Sequence, residues 1–280
     1  MGLASAIVAQ AFVDACLLDV SALKPGSVGF HGAGHGLSVA QFIASARAAA
    51  PALAAPRSTV GQRILGAIEA TQAAVGTNTN LGIVLLAAPL AHAALSPGGT
   101  LAETLAALTV DDAEQAFAAI RLARPGGLGH SDRHDVHAPA RVTLLEAMRE
   151  AAPRDFIAAQ YAGGYADVLG TGHAALAAGR RRGLDWRQST TEVFLAFLSR
   201  YPDSHVLRKL GPGRAVALRE EAARVVRDAS SSRAFQARLC SWDGDLKAQG
   251  INPGTSADLT VATLFAGLLE DAWGWRTTGD

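Results

Sequence analysis

Cysteine is nearly absent from this chain: Cys16 and Cys240 are the only two among 280 residues, and methionine is as rare. Two thiols so far apart exclude a disulfide scaffold and a four-thiolate zinc site, and they make an intracellular, cytoplasmic setting the default expectation. Net charge is absent too, with 25 Lys plus Arg against 25 Asp plus Glu. That balance leaves no global electrostatic footprint for nucleic acid, and no nucleic-acid partner is expected. No apolar run approaches the roughly 20 residues of a bilayer span without charge or turn residues, so no membrane partner is expected either. Met1 to Val20 is apolar and Ala-rich, but Gln10, Asp14 and Asp19 interrupt it and no basic segment precedes it. It reads as a core helix rather than a signal peptide. Strand-type alternation is also nearly missing.

What is present is apolar helix. Hydrophobic residues make up 49% and charged residues 18%, which excludes a disordered chain and implies much buried helix surface. Stripes of helical period run through Ala4 to Leu23, Val39 to Ala50, Gly61 to Ala74, Ile83 to Leu95, Asp111 to Leu122, Val142 to Ala151, Phe156 to Ala178, Thr190 to Tyr201, Arg214 to Val226, Ser231 to Lys247 and Ala257 to Trp273. Asp111-Asp112, Thr190-Thr191-Glu192 and Thr255-Ser256-Ala257-Asp258 read as helix starts, and most prolines fall between or at the ends of stripes. No linker and no internal repeat divides the chain, so the expectation is one all-α domain over 1–280. Its Ala-rich faces suit a homodimer.

Polar chemistry gathers in the connections. Gly76-Thr77-Asn78-Thr79-Asn80-Leu81-Gly82 sets amides and hydroxyls between two apolar helices, where they serve either as a helix cap or as donors to an anion. Lys24 to Gly36 holds five glycines in thirteen residues, which lets backbone approach a ligand. Within it Lys24 offers a charge, and His31 and His35 offer hydrogen bonds or proton transfer. Arg124 to Pro139 carries three histidines and two aspartates within His130 to His137; a solvated loop, a substrate lid and a transition-metal site all fit that composition. Asp203-Ser204-His205 precedes Arg208 and Lys209, so Asp203 is a helix cap or, with His205, a flank for metal-bound phosphate held by the two cations. A serine-hydrolase triad is excluded there, because adjacent residues on one turn cannot adopt its geometry. Asn252 to Leu259 opens the last helix, and Asp258 is a cap or a contact to magnesium or a ribose hydroxyl.

Taken in order, Lys24-Pro25-Gly26, Gly32-Ala33-Gly34-His35, Gly76-Thr77-Asn78-Thr79 with Gly82, Asp203-Ser204-His205 before Arg208, and Asn252-Pro253-Gly254-Thr255-Ser256-Ala257-Asp258-Leu259 resemble the triphosphoribosyl-dephospho-CoA synthase family over nearly the whole chain. The resemblance implies an all-helical transferase of coenzyme biosynthesis that joins ATP to 3′-dephospho-CoA and releases adenine. Carried onto this sequence, it places Lys24, Asn78, Thr79, Asp203 and Asp258 on matching motifs; together with the residues read from the turns, the expectation is catalytic Asp203, Asp258 and His35, with magnesium on Asp203 and Asp258. Nucleotide and phosphate fall to Lys24, Ser27, His31, Asn78, Thr79, Asn80, His205, Arg208, Lys209 and Ser256. The partners implied are ATP or another phosphorylated small molecule and a coenzyme precursor.

The sequence departs from the family pattern in two places. Asn80-Leu81 stands where the family has His-Lys, and Gly34-His35-Gly36-Leu37-Ser38 also lacks a lysine. A charged hydrogen bond contributes about 1.5–3 kcal/mol, so two lost cations point to a changed substrate. Asn80-Leu81-Gly82, the segment from Arg121 to Gly129, Thr143 to Met148 and Arg154 to Tyr161 resemble a branch associated with tetrahydromethanopterin and methanofuran one-carbon coenzyme pathways. There Glu146, Asp155 and Tyr161 are additional candidates. Three readings therefore stand: a related coenzyme-making transferase, the literal triphosphoribosyl transfer, and a helical ligand-binding accessory protein.

Overall fold

The computed structural model describes residues 3–32, 36–227 and 233–273, and among them the chain is helical, with no named strand. The helices are α1 (Ser5–Ser21), α2 (Val39–Leu53), α3 (Val60–Val75), α4 (Leu81–Leu95), α5 (Leu101–Ala106), α6 (Val110–Ala123), α7 (Leu144–Ala151), α8 (Phe156–Ala162), α9 (His173–Arg181), α10 (Trp186–Arg200), α11 (Ser204–Leu210), α12 (Pro212–Arg227), α13 (Arg233–Ala248) and α14 (Gly254–Trp273). A π-helical stretch, Asp167–Gly172, precedes α9. Many helix starts are written locally: Ser38 with Gln41, Thr59 with Gln62, Thr100 with Glu103, Thr109 with Asp112, Thr143 with Glu146 and Asp185 with Gln188 form reciprocal capping boxes. Glu146 is thereby a structural cap.

Helix α4 is the axis of the core. Val84, Leu86, Ala88, Leu90 and Ala91 are fully buried, as expected of a helix that is apolar on every side. It packs against α14, α3, α1 and α2, and each buried leucine stabilises the fold by about 1.5–3 kcal/mol. A second apolar cluster gathers Phe194, Leu198, Leu218, Ala222, Leu239 and Leu246 around α10, α12 and α13.

The structure departs from the sequence expectation in identifiable places. Pro89 lies inside α4, within the expected stripe from Ile83 to Leu95, and the helix runs through it. Proline has no N–H for the carbonyl four residues earlier, and the Tyr161 hydroxyl donates to that carbonyl, Leu85 O, at 2.6 Å. Tyr165 donates to Leu86 O at 3.1 Å. Tyr161 is thus a buried brace and not a site residue. The stripe from Phe156 to Ala178 is not one helix: Gly164 and Tyr165 both take positive φ, 63° each, and break it. Helix α10 starts at Trp186, capped by Asp185, ahead of the expected Thr190. The short α5 had no stripe long enough to reveal it.

Candidate active site

The connections before α4, after α1 and after α6, together with α11 and the starts of α8 and α14, surround a single cavity of about 680 Å³. That is within the roughly 300–1,000 Å³ of small-molecule sites. At its floor, Asp258, just past the first turn of α14, meets the first turn of α4. The carboxylate packs so closely that a Cβ on Gly82 would lie 2.1 Å from Asp258 Oδ2; only glycine permits this approach. Asn78 Oδ1 accepts the Leu81 N–H at 3.2 Å. The Gly82 and Ile83 N–H groups have no protein acceptor among the described residues, so the positive end of the α4 dipole opens onto the floor.

Beside Asp258 is a buried ion pair, Lys24 Nζ to Asp19 Oδ2 at 2.6 Å. Asp19 Oδ1 is buried with no protein partner. Burial raises the Asp19 pKa against the pull of Lys24. Asp258 is pushed well above the ordinary carboxylate range, first by burial, then by the negative charges of Asp203 and Asp19, with Lys24 opposing. No protein group donates to the Asp258 carboxylate among the described residues, so the floor favours a proton or a cation there.

The rim has the opposite sign. Arg208 reaches Asp155 Oδ2 at 3.3 Å and Gly126 O at 3.2 Å, while Arg154 donates to Ser131 Oγ at 3.0 Å. Arg124 and Lys209 also line the cavity, and no carboxylate pairs with either among the described residues. The connection following α6 closes over the top, with residues from Arg124 to Val136 on the cavity wall. Positive φ at Arg124, Gly127, Gly129 and His134 lets it turn tightly. A third wall is apolar, formed by Phe42, Leu81, Phe117, Leu144, Met148 and Ile157.

Of the residues expected from sequence, Lys24, Ser27, Asn78, Thr79, His205, Arg208, Lys209 and Asp258 line this cavity. Thr79 Oγ1 bonds Ser45 Oγ at 2.5 Å. His31 is exposed and away from it, and His35 lies outside the described residues. Asn80 sits behind the wall, its side chain donating to Thr71 Oγ1 at 3.0 Å. Asp203 and Ser256 do not reach the cavity either. Asp203 Oδ1 accepts the N–H groups of His205 and Val206 at 3.0 and 3.1 Å, and Oδ2 accepts the N–H and hydroxyl of Ser256 at 2.8 Å each. Four donors occupy that carboxylate, leaving it little capacity for metal. Sequence reading missed Asp19, Arg124 and Arg154 as site residues. Asp19 had registered only as a charge interrupting an apolar helix, although its spacing of five from Lys24 was a usable signal.

Fold and site together define an all-helical protein whose inter-helix turns converge on one enclosed, charged cavity. Residues 5–277 match the model of the CitG family, ATP:dephospho-CoA triphosphoribosyl transferase, and the chain belongs to that family. A Stutzerimonas stutzeri (strain A1501) protein named as a probable 2-(5''-triphosphoribosyl)-3'-dephosphocoenzyme-A synthase is 30% identical, with 94% of this chain and 90% of that protein covered. An Archaeoglobus fulgidus crystal structure named for a triphosphoribosyl-dephospho-CoA synthase is similar with a TM-score of 0.64 at 25% identity, covering 84% of this chain and 100% of that one. The family is one of coenzyme-biosynthesis transferases with phosphorylated substrates. No described helix is long and apolar enough to cross a membrane.

Proposed function

We propose that this chain transfers the triphosphoribosyl group of ATP to a hydroxyl of a coenzyme precursor, with 3′-dephospho-CoA as the first acceptor to test. The observation that carries this reading is the division of the cavity into an acidic floor and a basic rim. The donor has the same polarity, a ribosyl carbon that turns cationic and a triphosphate tail. In the reaction the bond from ribose C1′ to adenine breaks and a bond from C1′ to the acceptor oxygen forms. The acceptor hydroxyl gives up a proton and the departing adenine takes one. Asp258 stabilises positive charge at C1′ from the floor, by electrostatics arranged in advance. Arg124, Arg154, Arg208 and Lys209 hold the triphosphate, and Asn78 and Thr79 orient the nucleoside.

Magnesium fits the same floor, because Asp19 Oδ1 lacks a protein partner and Asp258 stands among like charges. Held there through Asp19 Oδ1, the ion would supply charge neutralisation for phosphate oxygens and leave Asp258 as the carboxylate that faces C1′. Asp203 takes no part in this assignment. Incubation with ATP, magnesium and 3′-dephospho-CoA should release adenine, measured by chromatography. Nucleotide binding without adenine release would overturn the acceptor; neither binding nor release would overturn the reading altogether.

A second reading keeps the donor and changes the acceptor to a hydroxylated precursor of a one-carbon coenzyme. Leu81 favours it, since this residue, where the family pattern has lysine, lies on the apolar wall of the cavity. A more apolar acceptor suits that wall. The same assay with alternative acceptors distinguishes the two.

A further inference from the structure

We propose that His130, Asp135 and His137 form a site for one divalent transition-metal ion in the connection that roofs the cavity. Their donor atoms all lie within 4.8 Å of one another. His130 Nδ1 and Asp135 Oδ2 are 3.3 Å apart. Donors about 2.0–2.1 Å from a tetrahedral ion are themselves about 3.3 Å apart, so this pair already has ligand spacing. The His130 and His137 rings lie 5.4 Å apart at their centroids, within reach of a side-chain rotation. Of the three histidines and two aspartates in this stretch, His134 and Asp132 stay out of the cluster.

The carboxylate is fixed before any ion arrives. Asp135 Oδ2 accepts the Ser131 N–H and Oδ1 accepts the His137 N–H, both at 2.8 Å. The connection is tied down on both sides, by Arg121 donating to Val136 O, by Arg154 donating to Ser131 Oγ, and by Arg133 pairing with Glu150. Two imidazoles and one carboxylate suit zinc, iron, nickel or manganese better than magnesium, which takes oxygen donors. Three protein ligands also leave a coordination position open. His130 and Asp135 line the cavity, so an ion held there would border the phosphorylated substrate; this last clause alone rests on the function proposed above.

The test is titration of the intact protein with Co²⁺ alone at neutral pH, read by visible absorption and calorimetry. We expect one equivalent with the visible bands of imidazole ligation, which oxygen-only binding at the cavity floor does not give, and with affinity lowered by an order of magnitude or more in His130→Gln and in His137→Gln. His31→Gln, in another exposed turn, should bind as the wild type does. Both ligand variants preserve the N–H groups that hold Asp135, and circular dichroism verifies that they fold. No stoichiometric binding, or binding of wild-type strength in both ligand variants, overturns the site. Adenine release is measured separately, so failure of the metal site and failure of the transferase reading give different results.

Discussion

Asp203 and Asp258 flank the same first turn of α14 and share one patch of negative charge, yet their surroundings oppose each other. Asp203 is met by four donors, two from the start of α11 and two from Ser256. Asp258 is met by none, and its neighbours are other carboxylates, a lysine already paired with Asp19, and a glycine that lets it lie against α4. The first arrangement knits two helix starts together, and the second leaves a carboxyl whose charge is satisfied only by something that binds. Hydrogen-bond accounting separates scaffold from chemistry where residue type and motif position do not.

The comparison is tested most strongly by Asp258→Asn. Adenine release should fall by about 10³-fold, because a residue at the reacting centre is lost, while the variant folds and its Tm rises. The sign follows from proton linkage. Asp258 holds its proton more tightly in the folded chain than in the unfolded one. Wild-type stability therefore falls as pH rises from the ordinary carboxylate range through the raised folded pKa. The amide does not titrate, so that pH dependence disappears in the variant and the two melting curves should diverge as pH increases. A Tm lowered at neutral pH would contradict the electrostatic account.

Asp203→Ala should do the reverse. Leaving its four donors unmet is expected to lower stability by about 3 kcal/mol, measured by urea unfolding. Turnover per folded molecule should stay within a few-fold of wild type, and a loss as deep as that of Asp258→Asn would collapse the distinction. Gly82→Ala acts on the contact rather than on the charge: displacing the Asp258 carboxylate should reduce adenine release by about 10²-fold. The smallest effect belongs to the rim. Arg124→Ala should weaken ATP binding by about tenfold, measured by calorimetry, since one charged contact among several is removed.

Much of the fold was legible because apolar residues recur at helical spacing and capping residues mark many of the starts. The break at Gly164 and Tyr165 was hidden, since a positive φ at tyrosine leaves no trace in composition, and the brace that lets α4 run through Pro89 was hidden because it comes from Tyr161, distant in the chain. The turns carrying Lys24, Asn78, Thr79, Arg208 and Asp258 were legible as places where polar groups gather between apolar helices. Their convergence was expected only through the family resemblance. Asp19 was not read as a site residue, because a carboxylate inside a helix acquires its role from what faces it. For the same reason Asp203 and Asp258 could not be told apart without knowing which donors each one meets.

The bond from Tyr161 to Leu85 O, made where Pro89 withholds its N–H, also has an evolutionary consequence. Helix α8 begins at Asp155 on the cavity rim, and α4 begins beside Gly82 on its floor, so this brace joins the two walls. Losing the tyrosine while the proline remains strands a buried carbonyl; losing the proline first supplies a backbone N–H that competes for it. The order of mutation matters, and a lineage that keeps Pro89 narrows what position 161 can become. An apparent defect in the central helix thus makes the effect of changing either residue depend on the other.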